Sequence, residues 1–221
     1  MILIYLFLPL FTFFYFALRG LVRSDSKMVF FAVSVLCTLI TLFIYKGLEG
    51  EENYKLLNDK EILKRFIADL SENREQDALE VDRIILEISN RDEVRAGEIY
   101  LLAKSLKGVN ENTLASHAFR QLYRNFPNEL DGSVLAEYAQ AMFLKEERTF
   151  NNEIEKILKE ALLKSPDNPS ALTLKGLKEL ENKNIDLTIK VWTRALNFLE
   201  NERDISELKM LIETVKKLKN Q

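Results

Sequence analysis

The chain has 221 residues, a formal net charge of −3, and charged side chains at 29% of its positions. Its 7 glycines and 4 prolines are too few for a turn-rich fold, so long helices are favoured over β-structure. With one cysteine, Cys37, and one histidine, His117, a single chain cannot form a disulfide framework, a cysteine-based metal site or bis-histidine haem ligation.

Two apolar runs occupy the N-terminal part of the sequence. Residues 1–18 and 28–45 are almost wholly apolar, and each is close to the shortest length that crosses a bilayer. No basic residue precedes the first run, and no small-residue cleavage motif follows it. We therefore predict a hairpin of two transmembrane helices in residues 1–45. The alternative is a cleaved signal peptide followed by one anchor.

The charges around these runs predict how the hairpin is oriented. The loop at 19–27 carries three basic residues, whereas acidic residues follow the second run at Glu49, Glu51 and Glu52. Because basic residues mark the cytoplasmic side of short loops, the loop is expected to be cytoplasmic. The N-terminus and the rest of the chain are then expected on the periplasmic side of a bacterial inner membrane.

Residues 46–93 are expected to form a helical stalk or cap. Apolar residues recur at helical spacing between 58 and 90, which predicts two amphipathic helices. This stretch lacks the alanine, glycine and proline pattern of the sequence that follows. A degenerate repeat therefore remains an alternative to a stalk with a cap.

From residue 94 onward, helices are predicted in pairs. The second helix of each pair is expected at 112–125, 151–164 and 185–199, and the first helices at 94–107, after Asp131, and from Pro169 to Glu181. Asp131 and Asn168 are suitable N-caps, and Pro169 suits the first position of a helix. A final helix at 205–219, within a segment from 203 to 221, has one apolar face and is expected to cap the stack.

The spacing of small and bulky residues predicts tetratricopeptide (TPR) repeats. Ala161 and Ala195 lie 34 residues apart, as do Leu158 and Trp192, and 34 is the length of this repeat. Three units are predicted, at 96–129, 135–168 and 169–202, so the fold class is an all-α superhelix that follows the transmembrane hairpin. The repeat-defining residues are Ala103, Ala115, Phe119, Pro127, Ala161, Pro166, Gly176, Trp192 and Ala195.

The sequence favours binding over catalysis. It contains no nucleophile elbow, no phosphate-binding loop and no metal-ligand cluster, and it suggests no cofactor. It also has no basic stripe of the kind that binds nucleic acid. In a stack of such repeats the first helices line one face, which receives a peptide or a helix. The residues expected on that face are Tyr100, Lys104, Lys107, Ala139, Phe143, Glu146, Thr173, Leu177 and Leu180, although several could instead pack between repeats.

Three stretches resemble the CcmI/CycH family of cytochrome c biogenesis proteins, whose TPR part is similar to NrfG. They are the hairpin with its basic loop, YRNFPNELDGSVLAEYAQAMFL at 123–144, and KEALLKSPDNPSALTLKGLKELENKNIDLTIKVWTRAL at 159–196. The resemblance implies a membrane-anchored chaperone that binds the C-terminal helix of apocytochrome c and presents it to the haem lyase subunits of the maturation system. The short loop at 19–27 departs from members that carry a longer helical loop.

Two other functions are weighed against this one. An envelope TPR scaffold that assembles another membrane complex would have the same architecture and no client peptide. A haem lyase subunit that acts directly in ligation would need paired histidines and a tryptophan-rich segment, which the sequence lacks.

Overall fold

The computed structural model describes residues 11–12, 27–47, 50–68, 73–91 and 94–219. The chain divides into two compact units, Met1–Lys64 and Arg65–Gln221. The helices of the described ranges are α1 (Lys27–Gly47), α2 (Gly50–Ile67), α3 (Arg74–Ser89), α4 (Ala96–Gly108), α5 (Asn112–Asn125), α6 (Gly132–Lys145), α7 (Asn152–Lys164), α8 (Pro169–Glu181), α9 (Ile185–Leu196) and α10 (Glu202–Lys219).

The described part of the chain contains helices and no strands, which confirms the predicted all-α class. The second predicted transmembrane run falls within α1, whereas the first lies outside the described residues except for Phe11 and Thr12. Within the described ranges, no helix combines the length and the apolar content that crossing a membrane requires.

Helices of the second unit pack in consecutive pairs. α4 packs mainly against α5, α6 against α7, and α8 against α9, while α5 and α8 also contact α6. α3 packs on α5 and α10 packs on α9, so each covers one end of this series of pairs. Each pair buries apolar side chains from both of its helices, such as Ile99 and Phe119 in the first pair and Leu135 and Ile154 in the second.

Polar contacts between neighbouring pairs recur at nearly constant sequence separation. Residues 34 to 37 positions apart are joined repeatedly along the unit. The contacts join Arg74 to Glu111, Tyr100 to Glu137, His117 to Asp82, Tyr123 to Glu160, Asn125 to the Ser89 carbonyl, and Lys164 to the Leu130 carbonyl. Each helix pair therefore repeats the placement of the one before it.

The helix boundaries follow local capping. The Asp131 side chain accepts hydrogen bonds from the backbone N–H groups of Ser133 and Val134 at the start of α6, and Asn168 accepts one from Ala171 at the start of α8. Both predicted N-caps are thus confirmed, as is Pro169 at the start of α8.

Two predicted boundaries at the C-terminal end were wrong by about one turn. α9 ends at Leu196 rather than at residue 199, because Phe198 N–H bonds to the Ala195 carbonyl in a tight turn. α10 begins at Glu202 rather than at residue 205, because Asn201 accepts a hydrogen bond from the Arg203 N–H and acidic residues fill the first turn.

The second pair is offset from a strict 34-residue register. Ala103, Ala139 and Gly176 each lie seven residues after the start of their helix, and all three are buried. The separations between them are 36 and 37 residues: the first interval includes a six-residue loop at 126–131, and the second includes the six-residue loop between α6 and α7, which is twice as long as the equivalent loops at 109–111 and 182–184. Glu147 and Arg148 in that longer loop adopt positive φ angles of 51° and 65°.

Candidate functional site

A groove of about 920 Å³ lies between α6, α8 and α10. Its lining is mostly aliphatic and aromatic, with polar groups at the edges. The lining residues are Gln140, Phe143, Leu144, Arg148, Phe150, Ser170, Thr173, Leu174, Leu177, Leu180, Glu181, Leu199, Asp204, Glu207, Leu208 and Leu211. An open apolar groove of this size can hold a ligand or a peptide.

Close packing of α8 on α9 fixes the floor of the groove. Trp192 is fully buried on α9, and its indole Nε1–H donates a hydrogen bond to the Thr173 carbonyl oxygen at 2.9 Å. A Cβ on Gly176 would lie 2.0 Å from that Nε1 atom, so only glycine permits the approach. The backbone of Thr173 is therefore tied to the core while the residue itself lines the groove.

Aromatic packing supports the α6 wall. Phe143 is 7% exposed, and its ring centroid lies 4.6 Å from that of Phe150 in the loop between α6 and α7. The Arg148 N–H bonds to the Phe143 carbonyl at 2.8 Å, which holds this loop against the end of α6. The longer loop of the second pair thus contributes both an aromatic residue and a cation to the groove.

The edges of the groove carry an excess of negative charge. Arg148 is the cationic side chain of the lining, and it is opposed by Glu181, Asp204 and Glu207. Glu207 is paired with Arg203 in the preceding turn of α10. Glu181 lies in the last turn of α8, where the helix dipole is negative, whereas Asp204 lies in the first turn of α10, where it is positive. Three carboxylates against one guanidinium leave the groove lining with a net negative charge.

The structure divides the predicted binding residues into two groups. Phe143, Thr173 and Leu177 lie together in the groove. Tyr100, Lys104 and Lys107 lie outside it, and two of them contact Glu137 of α6 instead. The Tyr100 hydroxyl donates to Glu137 at 3.1 Å, Lys107 contacts the same carboxylate at 3.4 Å, and the Lys104 ammonium lies 5.7 Å from the centre of the Tyr100 ring.

Of the other residues expected on this face, Leu180 lines the groove. Ala139 follows the alternative that some of these residues pack between repeats: it is fully buried because it occupies the small-residue position of its helix. Glu146 is exposed, pairs with Lys145 and lies outside the lining.

Several groove residues were missed from the sequence. Leu208 and Leu211 belong to α10, which was treated only as a cap, and Phe150 belongs to a loop. The signal that could have identified Leu211 is the width of the apolar face of α10, which extends beyond the three buried residues Leu208, Ile212 and Val215.

The repeat-defining residues occupy the interior of the pairs, apart from the two prolines. Ala103, Ala115, Phe119, Ala161, Trp192 and Ala195 are at most 1% exposed. Gly176 is buried against Trp192, whereas Pro127 and Pro166 are exposed just after α5 and α7.

A cluster of aromatic rings joins α4, α5 and α6 beside the Glu137 group. Phe119 stacks on Tyr138 at 6.0 Å, with Tyr100 and Tyr123 at its two ends. Burial raises the pKa of Tyr138, and a hydrogen bond from Arg120 partly opposes that rise. Burial and the Glu137 carboxylate raise the pKa of Tyr100, and a hydrogen bond to Glu160 raises that of Tyr123.

His117 contacts an acidic side chain on another helix. Its Nδ1 atom lies 2.8 Å from Asp82 Oδ1 on α3. Across the described ranges, no group of three histidine, cysteine, aspartate or glutamate residues is arranged to hold a metal ion. The contact joins α3 to α5.

Comparison with protein-family models and with curated proteins finds no match for this chain.

Proposed function

We propose that this chain is a peptide-binding chaperone and adaptor whose α6–α8–α10 groove holds an amphipathic helix of a client protein. The observation that carries the proposal is the groove itself, whose lining combines apolar residues with charged ones. A helix in an apolar groove is a recurrent mode of peptide recognition. No catalytic step is part of the proposal.

The dimensions of the groove suit a short helix. Its lining residues on α8 run from Ser170 to Glu181, which corresponds to about 16 Å along a helix axis. A client helix of about three turns would cover that length. The recurring contacts at 34 to 37 residues, together with the alternating helix pairs, support a TPR-type stack as the framework.

Charge suggests the class of helix. The α8–α10 edge carries Glu181 and Asp204, so a client helix with lysine or arginine beside its apolar face is favoured there. Arg148 at the opposite edge would face an acidic group of the client. The bound helix would therefore have a preferred orientation.

The resemblance to the CcmI/CycH family supplies the identity of the client. We propose apocytochrome c, bound by its C-terminal helix and presented to haem lyase subunits of the cytochrome c maturation system. The chain itself would carry no cofactor. The hairpin in residues 1–45 would anchor it in a bacterial inner membrane, with the groove on the periplasmic side.

The exposure pattern of α1 supports the anchor. Phe31 and Leu36 are each 57% exposed, while Ser34 and Thr38 are fully buried. A helix in water exposes its polar residues and buries its large apolar ones, so this exposure pattern is the reverse. It resembles that of helices that pack through small polar residues and present large apolar residues to lipid. The test is alkaline carbonate extraction with protease digestion of spheroplasts. Release of the protein by carbonate would contradict the anchor.

The test of function is peptide binding by the full-length protein in detergent micelles. A fluorescein-labelled peptide with the sequence of an apocytochrome c C-terminal helix is titrated with protein and followed by anisotropy. A scrambled peptide and the folded holocytochrome serve as controls. Selective binding of the native peptide is expected.

One pair of variants locates the site. Leu211→Glu places a charge in the groove and should weaken binding by about tenfold or more. Met210→Glu carries the same charge on the same helix at an exposed position outside the groove, and it should leave binding unchanged. If a folded protein does not bind the peptide, or if both variants behave alike, an envelope scaffold becomes the better hypothesis.

A further inference from the structure

A second groove lies between α7 and α8 and shares no lining residue with the first. Its volume is about 590 Å³. It is lined by Asn152, Glu155, Lys156, Leu158, Lys159, Leu162, Leu163, Lys175, Lys178 and Glu179. The two grooves can therefore be occupied or altered independently.

The second groove carries the opposite charge to the first. Four lysines line it, Lys156 and Lys159 on α7 and Lys175 and Lys178 on α8. Of these, Lys178 is paired with Glu155. The ion pairs formed within the described part of the chain do not include the other three. This is a local cationic surface on a chain whose net charge is −3.

Three leucines supply the apolar part of the groove lining. Leu158 is buried, Leu162 packs partly against the core around Trp192, and Leu163 is 72% exposed. Lysine side chains often cover apolar surface with their methylene groups, which would make this an ordinary solvated face. Leu163 remains open to solvent beside the lysines, so that cover is incomplete.

We propose that the α7–α8 groove is a docking site for an acidic amphipathic helix of a partner protein. Aliphatic side chains of the partner would contact Leu162 and Leu163, and its carboxylates would face Lys156, Lys159 and Lys175. The lining residues of α7 run from Asn152 to Leu163, about 16 Å along the helix, which matches a partner helix of about three turns. An acidic partner is selected because the lysines outnumber the glutamates and one glutamate is already paired.

The probe is a fluorescein-labelled peptide of leucine, alanine and glutamate, about 14 residues long, with its leucines on one helical face. A matched peptide has lysine in place of every glutamate. Each is titrated with the full-length protein in neutral detergent at low and at physiological salt. The acidic peptide is expected to bind, more weakly as salt rises, and the basic peptide is expected not to bind this groove.

Charge-matched variants separate a local site from a general charge effect. Lys156→Glu with Lys175→Glu should weaken binding of the acidic peptide by about tenfold. Lys190→Glu with Lys209→Glu changes the net charge equally at exposed positions outside both grooves, and it should have little effect. Leu211→Glu disrupts only the first groove, so it should leave binding of the acidic peptide intact even if the proposed client does not bind at all.

Three results would overturn the proposal. The acidic peptide could fail to bind a folded protein, or both double variants could reduce its binding to the same extent. In nanodiscs, a change from neutral to anionic lipid at constant ionic strength could abolish peptide binding to the wild type. That last result would show that the lysines face lipid headgroups instead of a protein helix.

Discussion

Gly176 is the residue on which the geometry of the first groove depends most directly. It allows Trp192 to fill the space between α8 and α9, and the indole in turn holds the backbone of Thr173 at the groove floor. A side chain at position 176 would have to displace the largest buried ring in the unit. Interiors are close-packed, so such a displacement spreads to neighbouring side chains.

Gly176→Ala is therefore expected to destabilise the protein by about 1–3 kcal/mol, even though alanine favours helices. Gly97→Ala in α4 is the matched control, because no atom lies within 4 Å of its added Cβ. That change should be neutral or stabilise by about 0.5–1 kcal/mol. Urea unfolding followed by circular dichroism and by the fluorescence of Trp192, the sole tryptophan, measures both.

A double variant checks the cause. If the clash with the indole is responsible, Trp192→Phe should lower the free energy of unfolding less in the Gly176→Ala background than in the wild type, because the smaller ring leaves space for the added methyl group. Equal costs in the two backgrounds would contradict the packing argument.

Glu181 is placed where a carboxylate does not help its helix. It lies in the last turn of α8, where the helix dipole disfavours negative charge. Glu181→Gln should leave stability unchanged or raise it by about 0.3–1 kcal/mol. It should also weaken the binding of a cationic client peptide several-fold. Parallel measurement of unfolding and of peptide anisotropy tests this separation. Unchanged peptide affinity would show that Glu181 does not contribute to the binding site. A loss of stability would contradict the argument that its carboxylate does not help α8.

At the scale of elements, the interface of α4, α5 and α6 gives the unit a dependence on alkaline pH. The pKa values of Tyr100, Tyr123 and Tyr138 are all raised in the folded state. Tyrosine in an unfolded chain has a pKa of about 10. Below that pH both states keep their phenolic protons and stability is unaffected. Above it the unfolded chain releases protons first, so the free energy of unfolding falls as pH rises.

We expect the free energy of unfolding, measured with urea, to be nearly constant between about pH 8 and 9 and to fall above about pH 10. Each affected tyrosine contributes at most about 1.4 kcal/mol per pH unit to this slope. Tyr138→Phe should make the slope shallower, because it removes the most buried of the three hydroxyls. Since lysines also titrate in this range, the comparison of variant with wild type is the test, and identical slopes would refute it.

The helices were largely predictable because local signals agree with the packing. α5 was predicted at its observed bounds, and Asp131 and Asn168 cap α6 and α8 as expected. The offset of the second pair was not predictable from the repeat pattern. It arises in the six-residue loops at 126–131 and 146–151, which leave the helices on both sides intact and so preserve their periodicity.

At the scale of the molecule, four of the nine residues that the sequence places on the binding face line the groove, namely Phe143, Thr173, Leu177 and Leu180. Phe143, Thr173 and Leu177 follow from helix periodicity, since they lie on the inner face of first helices. Tyr100, Lys104 and Lys107 have the same periodicity, but Tyr100 and Lys107 contact Glu137, which lies 37 and 30 residues away in the sequence, and Lys104 lies over the Tyr100 ring. Contacts at that separation depend on how pairs stack, which single-helix patterns do not encode.

The last helix links the stability of the unit to its groove. Leu208, Ile212 and Val215 of α10 pack on Leu172, Val191 and Trp192, and other α10 residues form one groove wall. Burial of three aliphatic side chains is worth about 1.5–3 kcal/mol each, which is comparable to the whole stability of a typical domain.

Removal of residues 202–221 is therefore expected to unfold α8 and α9 while α4 to α7 remain helical, because stability in a repeat stack is carried by neighbouring contacts. Trp192 fluorescence should shift to the red, helical content should fall, and peptide binding should be lost. Ile212→Ala is the milder version, with an expected cost of about 2–5 kcal/mol, and Met210→Ala at an exposed position of α10 is its control. A truncated protein in which Trp192 remains buried would show that α8 and α9 are stable without α10. Equal effects of Ile212→Ala and Met210→Ala would show that the inner face of α10 contributes no more than its outer face.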